Sequence, residues 1–190
     1  MEVVRIAQIR SRSGVELRVA GPRWNFHDRA SAVNHLIYVE TSIPSFYFET
    51  RPGAQMQARR EWTREWWQLA CWQDHLVSSL WVIRELEDTP EPKRADCLSL
   101  MDGLRFLQSA AEIDRLVDHY IENKVMPADA DGDARHPAIA TFWKCDILVS
   151  WNCRHIANAN KTDHIRNANR QLGYETPQLV TPLELLEVEP

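Results

Sequence analysis

Three carboxylates, far apart along the chain, stand where a fold could turn them to chemistry: Glu40, Glu85 and Asp133. Glu40 closes the apolar run Leu36-Ile37-Tyr38-Val39, which does not alternate and so predicts a strand covered on both faces. An acid at the carboxyl end of a buried parallel strand falls in the crevice where open α/β sheets keep their sites. Glu85 comes about two helical turns after a second short strand predicted at His75–Ser79. Asp133 opens an alanine-rich helical segment, where it reads as a cap and as a ligand together. Brought close, the three would repel, and at least one would be driven to take a proton. A divalent cation removes that conflict, and oxygen ligands without paired His or Cys suit a hard ion, Mg²⁺ or Mn²⁺. Such an ion activates water and stabilises charge on a phosphodiester. Asn152 offers a carbonyl oxygen or fixes a carboxylate, and Thr41, Ser42 and Ser150 offer supporting hydrogen bonds.

The elements that must position these groups alternate between strand and helix. After the strand at 36–39, residues 44–53 read as an aromatic loop, and a long helix follows from Ala54 to about Asp74. Trp62, Trp66 and Leu69 share a face of that helix, suited to core packing or a subunit contact, with stacking of unpaired bases as the sharper reading. Further helices are expected over 80–87, 93–104, 110–124, from Asp133, and over 163–172, with strands at 106–108, 146–151 and 179–181. A terminal turn of helix follows from Thr181. This order implies a three-layer α/β/α sandwich around a mostly parallel sheet of about five strands. Residues 1–35 read as an N-terminal extension, either a hairpin around Arg12-Ser13-Gly14 or a poorly ordered arm, ahead of a domain at 36–188.

Composition narrows the partners. A net charge of −5 argues against wholesale coating of nucleic acid but leaves room for a local basic groove. No apolar run reaches bilayer length and the N-terminus lacks an apolar signal core, so a cytoplasmic location is expected. The cysteines, Cys71, Cys97, Cys145 and Cys153, form no CxxC pair and read as buried thiols. Zinc on Cys145, Cys153 and His155 fits no usual spacing, and Asp129, Asp131 and Asp133 lack the glycine and glutamate of a calcium loop. His136 and His155 read as structural hydrogen-bonding residues near the site, with a general-base role as the alternative. Arg135 and Arg154 are candidate phosphate contacts.

Tyr38-Val39-Glu40-Thr41-Ser42, Glu85, Asp133-Ala134-Arg135-His136, the block Leu148 to Asn158 containing Trp151-Asn152-Cys153-Arg154-His155-Ile156-Ala157-Asn158, and Val180-Thr181-Pro182 together resemble the PIN domain, closest to the VapC-type toxins of toxin–antitoxin pairs. The Trp-Asn-Cys-Arg-His-Ile-Ala-Asn run is the most specific part. The resemblance implies a Mg²⁺-dependent endoribonuclease, a small cognate antitoxin and a homodimer, with Glu40, Glu85 and Asp133 as the first three members of an acidic quartet. The sequence departs from the pattern at Glu40, where the family usually has Asp, at the fourth acidic position, held by Asn152, and at Pro137. These departures keep open a PIN-like module that binds without cleaving. A structural dimer built on the Trp-rich helix is a further alternative.

Overall fold

The computed structural model describes residues 7–10, 16–20, 35–126 and 131–186. Among them are seven strands and eight helices. The strands are β1 (Ala7–Arg10), β2 (Glu16–Ala20), β3 (Leu36–Val39), β4 (His75–Ser79), β5 (Arg105–Leu107), β6 (Ile147–Val149) and β7 (Gln178–Val180). They form one sheet in the order β1-β2-β5-β4-β3-β6-β7. The five strands from β5 to β7 are all parallel, β2 adds to the β5 edge in parallel, and β1 pairs antiparallel with β2. In the part of the expected hairpin that is described, β1 and β2 pair antiparallel, with Ala7 opposite Val19 and Arg10 opposite Glu16. The turn expected at Arg12-Ser13-Gly14 and residues 1–6 and 21–34 of the N-terminal extension lie outside the described residues.

The helices are α1 (Ser42–Tyr47), α2 (Ala54–Gln73), α3 (Leu80–Glu87), α4 (Lys93–Met101), α5 (Ala111–Glu122), α6 (Asp131–Phe142), α7 (Ala159–Gln171) and α8 (Pro182–Leu185). Helices α1 to α4 and α8 pack among themselves, as do α5, α6 and α7, so the sheet is covered on both faces. The α/β sandwich expected from the order of elements is therefore the observed class.

The sheet explains why the opening run is apolar throughout. All four residues of β3 are buried, because the strand is central in both directions: β4 lies on one side and β6 on the other. The chain builds outward from β3 through β4 to β5, then returns across β3 to add β6 and β7. The carboxyl ends of β3 and β6 therefore flank a switch in strand order, where an open α/β sheet has its crevice.

Four expectations need correction. Residues 42–47 are helix, not loop: Pro44 lies in the first turn of α1, where a missing N–H costs no intrahelical bond. Helix α6 begins at Asp131, so Asp133 sits inside its first turn instead of capping it, and Pro137 lies in the helix interior. The apolar face of α2 runs through Trp66, Trp67 and Ala70, whereas Leu69 is 47% exposed. Trp66 is thereby committed to the core, and Trp62 stacks on Trp151 with ring centroids 6.2 Å apart. The expectation of four buried thiols also holds only for Cys97 and Cys145, since Cys71 and Cys153 are exposed. No helix of the described residues is long and apolar enough to cross a membrane.

Candidate metal centre

Glu40 follows β3 directly and is 5% exposed. One of its carboxylate oxygens, Oε2, accepts the Ser42 backbone N–H at 3.0 Å, the Ser42 hydroxyl, and the Ser150 hydroxyl at 2.8 Å. Those three donors fix the side chain and leave Oε1 facing His136 Nε2 at 3.8 Å. Ser42 in turn accepts the backbone N–H of Trp151 at 2.8 Å, which ties the end of β3 to the residues after β6.

Glu85 reaches the same place from α3. Its Oε1 accepts Trp81 Nε1–H at 3.0 Å, one helical turn away. Its Oε2 accepts the Thr41 hydroxyl and lies 3.1 Å from His136 Nε2. Burial pushes the Glu85 pKa up, but the hydrogen bond and charge of His136, with the Thr41 and Trp81 hydrogen bonds, outweigh it and hold the group below the usual glutamate range. The N-terminal turn of α6 packs closely here. A Cβ on Gly132 would meet Glu85 Oε1 at 2.9 Å, so a side chain at that position would displace the carboxylate.

Asp133, one residue on, accepts Asn152 Nδ2–H through Oδ1 at 2.8 Å and faces His155 Nε2 through Oδ2 at 4.0 Å. The Asn152 backbone N–H donates to Ser150 Oγ at 2.9 Å, and Ser150 donates to Glu40. Asn152 therefore couples the two acids as a neutral donor, a role that an ionised Asp could not fill. Of the three acids expected as ligands, Glu40 and Glu85 meet in one cluster with His136, whereas Asp133 stands outside it and is tied to Glu40 through Asn152 and Ser150. Among the described residues, no lysine or arginine pairs with any of them. The side chain of Asp131 and the whole of Asp129, weighed above for a calcium loop, lie outside the described residues.

The residue that sequence reasoning undervalued is His136. It is buried between the carboxylates, and one oxygen each of Glu40 and Glu85 and one of its ring nitrogens all lie within 4.8 Å of one another. Its other nitrogen, Nδ1, lies 3.1 Å from the Tyr38 hydroxyl, itself 2.7 Å from Ser79 Oγ. With Nδ1–H donating to Tyr38 and Tyr38 to Ser79, Nε2 keeps its lone pair for an ion. With both nitrogens protonated, the ring is a cation set between the acids. Burial opposes that charge, yet the Glu85 hydrogen bond and the charges of Glu40, Glu85 and Asp133 raise the His136 pKa above the ordinary histidine value. The signal for His136 was in the chain: it lies three residues after Asp133, on one face of the same helix. Tyr38 and Trp81 carried no such signal, since an aromatic in a strand or a helix start reads first as core.

A cluster of two carboxylates and an imidazole at this spacing could hold a divalent ion, so in the expected oxygen-only set of Glu40, Glu85 and Asp133 the nitrogen of His136 takes the place of the Asp133 carboxylate. The supporting residues divide clearly: Thr41 holds Glu85, Ser42 and Ser150 hold Glu40, and Asn152 holds Asp133. The candidate phosphate contacts fare differently. Arg135 donates to Asp114 at 2.7 Å and lies 4.6 Å from the Trp81 ring centroid, so its guanidinium is engaged in packing α6 against α5 and α3. Arg154 is exposed in the turn that follows Asn152.

No family model matches the chain, and no curated protein matches it. Among solved structures, the chain is similar to VapBC2 from Rickettsia felis bound to a DNA fragment from its promoter, with a TM-score of 0.44 and 13% identity over 63% of this chain and 89% of that one.

Proposed function

We propose that the protein is a metal-dependent ribonuclease whose catalytic unit spans residues 36–188, with Glu40, Glu85 and His136 at its centre and Asp133 at the edge. The observation that carries this reading is the convergence of Glu40, Glu85 and His136 within 4.8 Å, at the switch point of a parallel sheet, with no lysine or arginine among the described residues paired with the acids. Glu40 and Glu85 would hold a Mg²⁺ or Mn²⁺ ion with His136 Nε2, and the imidazole favours Mn²⁺. A divalent ion at such a site lowers the pKa of water and offsets charge on a phosphodiester. The chain's own contribution is preorganisation. Ser42 and Ser150 lock Glu40, Thr41 and Trp81 lock Glu85, and Asn152 keeps Asp133 at the edge of the cluster, so little is left to rearrange when substrate arrives. The resemblance set out above adds a small antitoxin as partner and a homodimer as assembly.

Incubation of the purified protein with RNA and Mg²⁺ or Mn²⁺, beside Glu85→Gln and Asp133→Asn, tests the reading. The wild type should cleave, and each variant should be slower by about 100-fold or more, the usual cost of losing a preorganised charge. Equal cleavage by the variants would overturn the site. No cleavage by any of them would favour the alternative that Asn152 and Glu40 suggest, a module that binds without cutting.

A further inference from the structure

Among the described residues the carboxylate cluster has no lysine or arginine of its own, so a polyanion approaching it must find cations at the rim. Arg135 is taken up by Asp114 and Trp81. Arg59 stands differently. It is half-buried on α2, with its guanidinium carbon 5.4 Å from the Phe46 ring centroid and 5.2 Å from that of Trp151. Among the described residues it has no carboxylate partner.

The shelf beneath it is rigid. Trp151 Nε1–H donates to Thr63 Oγ1 at 2.7 Å, Thr63 Oγ1–H donates to the Arg59 carbonyl at 2.6 Å, and Trp62 stacks on Trp151. The shelf is also wired to the acids. Trp151 donates its backbone N–H to Ser42, which binds Glu40, and Phe46 lies one turn along α1 from Ser42. A guanidinium laid against aromatic rings keeps its N–H edge free, and it gives up little freedom when it meets a flat anion.

We propose that Arg59, on the shelf of Phe46 and Trp151, holds a phosphate of the RNA strand flanking the one at the carboxylates. The inference rests on reading the cluster as a phosphodiester site. RNA is favoured over an acidic peptide because half-buried Trp62 and Phe46 place aromatic surface beside the cation, where an unpaired base can stack.

The test uses the full chain in a Glu85→Gln background, so that RNA survives, and a short fluorescein-labelled single-stranded RNA of mixed sequence. Anisotropy titrations over a range of salt give affinity and salt slope. Arg59→Ala should weaken binding about tenfold, as expected for one charge-assisted contact, and should lower the salt slope by about one. Arg59→Lys should keep the slope while losing part of the affinity. A shelf that serves packing alone would lower the melting temperature in Arg59→Ala and leave the slope unchanged, which overturns the inference. So does Arg59→Ala weakening capture of poly-glutamate but not of RNA, which assigns the shelf to an acidic protein partner. If the wild type cleaves nothing but the slope still falls, the RNA contact stands and the nuclease reading falls alone.

Discussion

Helix α6 serves a buried polar cluster at each end, and the two are built on different terms. Toward its C-terminal end, Thr141 joins Tyr120, Asn169 and Thr176. Asn169 accepts the Tyr120 hydroxyl at 2.5 Å and donates to Thr141 at 3.1 Å and to Thr176 at 2.8 Å. Every member is neutral, and burial pushes the Tyr120 pKa up to about 12, so the group stays neutral. Donors and acceptors match, and the network closes on itself. At the other end, Asp133 and His136 join Glu40 and Glu85. There Glu40 and Glu85 share one imidazole while Asp133 faces a second, His155, and among the described residues Glu40 Oε1 has no donor nearer than His136 at 3.8 Å. The first cluster fastens α5, α6 and α7 together. The second keeps anionic capacity in hand, and a folded protein retains such an imbalance at a functional site. Satisfied polar groups read as structure, whereas surplus charge of one sign reads as a place for a ligand.

The sharpest way to break this comparison is to add the missing cation. At an ion concentration of 100 times Kd, Mn²⁺ should stabilise the wild type by about 2.7 kcal/mol, read as a rise in melting temperature. Glu85→Gln should show little of that rise, and an identical rise in both would place the ion elsewhere. Disrupting the neutral cluster comes next. Asn169→Ala strands the Tyr120 and Thr141 hydroxyls and should cost about 1–3 kcal/mol in denaturant unfolding. It should leave the Mn²⁺-induced rise intact, and a lost rise would mean that the two clusters are coupled.

The smallest effect is one of pH. Because the folded His136 pKa is raised, the stability it lends the ion-free protein is fully present below the unfolded histidine value and is lost as pH rises through the folded value. Ion-free wild type should therefore lose stability over that window more steeply than His136→Gln. Parallel curves would remove His136 as the counter-charge of the cluster.

Much of this was legible in the chain. The unbroken apolar run Leu36–Val39 announced a strand buried on both faces, and strands separated by helical stretches announced a parallel sheet. Pattern was less informative where one residue type serves two contexts. Pro44 signals a break, but in a first turn it breaks nothing. Leu69 is apolar and on period with Trp62, but no element of the described fold covers it.

By itself, the sequence determined which groups are acids and that Glu40 closes a buried strand, because those signals are local. It also fixed the short side chains Thr41, Ser42 and Ser150 beside them. Only the tertiary structure decided that His136 faces the acids, that Tyr38 and Ser79 set its ring, and that Arg135 is spent on Asp114 while Arg59 is not. Those outcomes turn on which side chains meet across segments distant in the chain, and no spacing along the polymer encodes that meeting.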